Sequence, residues 1–310
     1  MILKNKKGFE ISFSWFFAVV VGGFILFLAI YGATKVINTG GEVNSARTGE
    51  EIGILLNPLE TGFESGQTTL LTLPVETRIN NKCEDITGNF GRQMISVSQK
   101  SFGKWSPTDI DAAFQNKYIF SEESIEGKNF FLFSKAFELP FKVADLVYMT
   151  SSRDAYCFED APGDVKEELA DLSQENIFTS DCPTGSKRIC FSITGQECYA
   201  VVNYNAKEVE KNGGVMYFES DALMYAAVFS DPEIYECQVM RLMGRTSELS
   251  SVYIDKSKII SEQGCSNSEV NLFSLRSLTE SARDSEDIFS VAREAENVGK
   301  ENERAECVLW

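Results

Sequence analysis

Histidine is absent from this 310-residue chain. Its absence removes Ser-His-Asp and Cys-His catalysis, His-ligated zinc and the usual near-neutral proton shuttle. There is also no G-x-G-x-x-G after a strand and no Walker A loop. The glycine pairs Gly40-Gly41 and Gly213-Gly214 lack a phosphate-binding context and read as a linker and a hairpin turn. No C-x-x-C pair supplies close thiolate metal ligands, and no N-x-S/T sequon marks an attached glycan. Positive charge is scarce: 29 Lys and Arg stand against 46 Asp and Glu, a net charge of −17. Such a polyanion repels a phosphate backbone, which excludes nucleic acid as a partner. Carboxylate chemistry stays open, since 46 acids are present, and no cofactor is expected. Glu159, Asp160 and Asp164 gather around Pro162-Gly163, but not at EF-hand spacing; they read as a solvated loop leading into a helix.

What the chain does have is one long uncharged run, Ile11 to Ala33, ISFSWFFAVVVGGFILFLAIYGA. At about 1.5 Å per residue it spans a hydrocarbon core of about 30 Å. Trp15 and Tyr31 lie toward its two ends, where interfacial aromatics belong. Lys4, Lys6 and Lys7 precede it, while Lys35 and Arg47 follow among Glu42, Glu50 and Glu51. Cationic flanks stay in the cytoplasm, so the N-terminus is expected inside and the bulk of the chain outside, in a single pass. The apolar run is too long for a cleaved secretory signal and reads as a retained signal-anchor. Ala18 and Gly22, then Ala29 and Ala33, are four apart, and Gly23 adjoins the first pair. Small residues at that spacing allow helices to approach in lipid, so self-association or protein partners through this helix are expected alongside membrane lipid.

Eight cysteines, Cys83, Cys157, Cys182, Cys190, Cys198, Cys237, Cys265 and Cys307, all follow the span. An even count in an outward-facing domain is expected to form up to four disulfides. Cys182, Cys190 and Cys198 are each separated by seven residues, and a local Cys182–Cys190 loop is the pairing this spacing favours. Apolar content of 43%, with 23 Phe and 10 Tyr, supplies ample core.

The organisation expected is a basic leader over 1–10, a membrane helix over 11–37, a helical stalk over 38–67 and an extracytoplasmic domain over 68–310. A sub-boundary near Ser230 is as plausible as a single domain. The stalk would carry a helix from about Glu42 to Leu56, ended by Asn57-Pro58. From Thr68 to Phe141, TTLLTLPVETRI, RQMISVSQKSF, KYIFSE and NFFLFSKAFEL read as strands, with SIEGK a hairpin connection between the last two. Asp154–Phe158 reads as a strand and Gly163–Ser173 as a helix burying Val165, Leu169 and Leu172. KRICFSI and CYAVVNY form a strand pair across Thr194-Gly195, and VMYFES with LMYAAVFS another around Asp221. Helices follow: Pro232–Glu248 behind an Asp231 cap, Ser250–Gln263, and much of Ser268–Glu306 with a break near Asp284-Ser285. Ile288, Val291, Ala292, Ala295 and Val298 line one face of the last. Strands first and helices later imply an α+β fold: an antiparallel β-rich domain with C-terminal helices behind the transmembrane helix.

Lys6-Lys7-Gly8-Phe9, directly before the apolar run, resembles the leader of a type IV pilin-like precursor. That resemblance implies cleavage between Gly8 and Phe9 and retention of the helix in a filament or secretion assembly. Bacterial members carry Glu at the fifth mature position; here that residue is Phe13, and the acid is Glu10. NPLETGFESG, Asn57 to Gly66, with the Phe-rich anchor, is also similar to archaeal single-pass proteins of uncharacterised activity. The expectation is a non-enzymatic, membrane-anchored surface protein for assembly, adhesion or binding. A pilin-like subunit, an accessory subunit of a membrane complex and a carboxylate-dependent surface hydrolase stay open as alternatives.

Overall fold

In the computed structural model the described residues are 14–32, 68–85, 90–101, 103–107, 111–192, 197–265 and 270–310. The expected leader, with Gly8 and Phe9, Ala33 and the expected stalk helix lie outside them. Ser14–Gly32 forms helix α1, with mean hydropathy 2.3 and none of its apolar length buried. Its Trp, Phe, Val, Ile, Leu and Tyr side chains are exposed along the whole helix.

Among the described residues thirteen strands follow in two sheets. The first has the order β3-β2-β1-β6-β7-β5, built from Lys104–Trp105, Arg92–Ser101, Thr68–Glu84, Ser124–Glu138, Lys142–Ser151 and Ile119–Phe120, with β4, Asp111–Phe114, also on β2. The second runs β13-β12-β11-β10-β8-β9, from Gly214–Tyr217, Glu208–Lys211, Ala200–Asn203, Lys187–Cys190, Tyr156–Glu159 and Ile177–Phe178. The fold is mixed α+β, as the order of elements implies, but the sheets are not antiparallel throughout. β5 pairs parallel with β7, and β8, β9, β10 and β11 are parallel neighbours. Periodicity reports which face a residue occupies, and strand direction depends on connections it does not encode.

Several local expectations change for similar reasons. SIEGK is not a hairpin; it is the start of the long strand β6. LMYAAVFS is not a strand but most of helix α3, Asp221–Phe229, whose residues from Ala222 onward are all buried. A continuous apolar run has no period to distinguish strand from helix when every side is covered. β10 and β11 do pair, but in parallel, with Cys190 and Cys198 bonded across their connection. Pro232–Glu262 is one helix, α4, where two were expected. Helix α2, Gly163–Asp171, buries Val165 and Leu169 as expected. The tail divides near Asp284-Ser285, also as expected, into α5, Leu272–Ser281, and α6, Ile288–Arg304, joined through a short 3-10 turn. Asn212 and Gly213 turn the β12–β13 hairpin with φ of 52° and 78°.

Helix α3 lies at the centre of the main core. Tyr225 and Phe229 meet Phe133 and Tyr148 of the first sheet, and Phe229 meets Tyr156 and Phe158 of the second. Alternation on β6 and β7 divides two cores: Phe133, Phe137, Leu146 and Tyr148 face α3, whereas Phe130, Leu132, Val147 and Met149 join Ile79, Ile95 and Ile125 on the opposite face. The first sheet closes this second cluster by curling. Asn81 Nδ2 donates to Ile119 O at 3.1 Å and Ile119 N to Gln93 Oε1 at 3.0 Å, bringing the β5 end back to β1 and β2.

Candidate functional site

All eight cysteines are paired, as Cys83–Cys237, Cys157–Cys182, Cys190–Cys198 and Cys265–Cys307. The Cys182–Cys190 loop expected from spacing is therefore wrong. Cys157 on β8 is carried to Cys182 by the parallel β8–β9 pairing, a contact that sequence distance conceals. Cys83–Cys237 joins β1 to α4, and Cys265–Cys307 ties the end of α4 to the segment after α6.

Two buried polar clusters occupy the junctions between elements. In the first, Arg241 of α4 is fully buried. Its Nε donates to Phe90 O at 3.0 Å, Nη1 to Lys117 O at 2.9 Å and Gln238 Oε1 at 2.7 Å, and Nη2 to Gln115 O at 2.9 Å. The guanidinium also lies over the Tyr118 ring, 4.7 Å from its centroid. Burial lowers its pKa, with Tyr118 and Asp85 acting in the opposite sense. Gln238 and Gln93 extend the network through Asn81 to the curled edge of the first sheet. Gly91 sits against it with φ of 57°; a Cβ there would come within 2.3 Å of Glu84 O and 3.0 Å of Arg241 Cγ.

The second cluster lies between the sheets at the end of α3. Lys211 Nζ donates to Ser230 O at 2.7 Å and Val228 O at 3.2 Å, satisfying carbonyls that the helix end leaves open. Its side chain is buried over the Tyr199 ring at 4.5 Å, and desolvation pulls its pKa from 10.5 to about 8. Glu122 accepts from Lys187 and from the Tyr199 hydroxyl. Burial alone would raise its carboxyl, but these partners hold it below the ordinary value. Lys187 also reaches Asp154 at 3.3 Å and lies near the rings of Tyr156 and Tyr199. Every group is engaged by another element, so this cluster joins the β5–β6 connection, β10, β12 and α3.

A cleft of about 490 Å³ is lined by Arg92, Ala113, Phe114, Gln115 and Asn116. Its one charged side chain, Arg92, is paired with Glu84 at 2.6 Å. The acids around Pro162-Gly163 are not gathered on one point: Glu159 pairs with Arg188, Asp160 accepts from Ser192, and Asp164 accepts from Val165 N. Cys157, Glu159 and Cys182 do place ligand atoms within 4.8 Å of one another, but the two sulfurs are bonded and Arg188 holds the carboxylate. On α1, Gly22 and Gly23 have nothing within 4 Å of a notional Cβ. They share that helix with Ala18 and Ala29.

Sequence reasoning did not single out Arg241, Gln238, Gln93, Asn81 or Lys211. A cue was present for one of them: Arg241 interrupts the apolar run Val239–Met243. No protein-family model, curated protein or solved structure matches this chain.

Proposed function

We propose that this is a single-pass, membrane-anchored protein whose disulfide-stabilised domain lies outside the cytoplasm and serves assembly, adhesion or binding. The observation carrying this reading is α1, nineteen residues long with none of its apolar window buried. In water such a surface is strongly unfavourable, whereas in lipid it is solvated and its backbone bonds are satisfied internally. Four disulfides in the remaining described chain fit an oxidising compartment. Charged groups at the two polar clusters are taken up by contacts between elements, which favours a scaffold over a catalyst. Alkaline extraction of membranes tests the anchor: the full chain is expected in the pellet, and release into the supernatant overturns the reading. Protease added to intact cells tests the side, with digestion of the domain expected.

The pilin-like alternative draws on the same exposed helix, where Gly22 and Gly23 leave room for a neighbouring helix. N-terminal sequencing of the mature chain decides it, since a start at Phe9 supports processing and a start at Met1 dismisses it.

A further inference from the structure

Among the described residues, the first half of β1 is paired on one side only. Thr68–Thr72 pairs with β6, whereas pairing with β2 begins only at Thr77, after the irregularity around Pro74. Among the described residues no strand lies along the other side of Thr68–Thr72. Leu71 and Leu73 turn toward the cluster inside the curled sheet, while Leu70 faces outward and is 51% exposed.

The strands that end the two sheets, and β4, are guarded in ways this one is not. β3 and β9 are two residues long. β4 carries Asp111, engaged by Lys82. β5 is fully buried, and on β13 the Tyr217 N–H donates to Ser285 Oγ. Gly66–Leu73 contains no charged residue in a chain of net charge −17.

We propose that Thr68–Thr72 pairs antiparallel with the same segment of a second copy, about a twofold axis centred on Leu70. An antiparallel edge is self-complementary in its hydrogen bonding, as an isologous interface requires. The sequence TTLLT suits that register: Leu70 faces Leu70, Thr69 faces Leu71 and Thr68 faces Thr72, with no like charges opposed. The segment itself adds no like-charge contact to the repulsion between two acidic chains. A five-residue edge buries far less than the roughly 1,200 Å² of a stable soluble interface. Pairing therefore draws on confinement in one membrane, where tethering raises effective concentration toward the millimolar range, about 10⁻³ M. In this respect the proposal rests on the anchor reading above.

The test uses the full chain in its native membrane. Leu70→Cys is expected to give a disulfide-linked dimer on non-reducing gels, whereas Val252→Cys, similarly exposed but on α4, stays monomeric. In reconstituted bilayers Leu70→Lys, with near-UV dichroism unchanged, is expected to cut the dimer fraction seen by energy transfer at least roughly tenfold. A Leu70→Cys chain that is retained in the alkaline pellet yet remains monomeric would overturn the edge pairing and leave the anchor standing. Equal crosslinking of both cysteine variants, or no effect of Leu70→Lys, also overturns it. Release of the chain from the pellet removes the anchor and the pairing together.

Discussion

Arg241 shows how a single buried charge can organise a fold through carbonyl and amide acceptors, with no ion pair to it among the described residues. Its donors are distributed over the carbonyls of residues 90, 115 and 117 and the Gln238 amide, so it fastens two connections to α4. Truncation to Ala leaves those acceptors buried and unpaired, and is expected to cost about 3–5 kcal/mol in urea unfolding. Lys is not expected to rescue it, since one ammonium cannot reproduce the planar fork. Lys211 gives a signature in pH. Its folded pKa of about 8 lies below the ordinary 10.5. Between those values the unfolded chain binds more protons, so stability rises with pH across that window, by roughly 3 kcal/mol for the full shift. Above pH 10 the sign reverses, because burial raises Tyr148, Tyr156, Tyr199, Tyr225 and Tyr235 and only the unfolded chain ionises there. Urea titrations from about pH 7.5 to about 11 are expected to show a rise and then a fall. Lys211→Met is expected to lose the rise and keep the fall.

At the scale of elements, the disulfides differ in what they constrain. Cys83–Cys237 closes a sequence separation of 154 residues, and Cys190–Cys198 one of 8. Loop-closure entropy gives about 5 kcal/mol for the first and about 2.5 for the second. Replacing Cys83 and Cys237 by Ser is therefore expected to lower the unfolding midpoint further than replacing Cys190 and Cys198, measured by thermal melts of both variants. Gly91→Ala is expected to destabilise as well, because its Cβ would meet backbone that cannot yield. Element identity was legible where a pattern had a period. Val165, Leu169 and Leu172 marked α2, and Ile288, Val291, Ala295 and Val298 marked α6. It was illegible for Ala222–Phe229, since a helix covered by two sheets loses the polar face that reveals its period.

For the whole molecule, the sequence by itself determined a single uncharged run of membrane-spanning length, an acidic body with ample apolar core, and cysteines confined to that body. These follow from composition and short-range order, which need no tertiary contact to be read. Only the tertiary structure decided which cysteines meet, which strands run parallel and where buried charges find acceptors. Cys157 reaches Cys182, and Arg241 reaches the carbonyls of residues 90 to 117, because the chain returns over long distances to close its core. Those contacts are settled by packing the two sheets on α3 as a whole, and pairwise spacing along the chain carries no record of that choice.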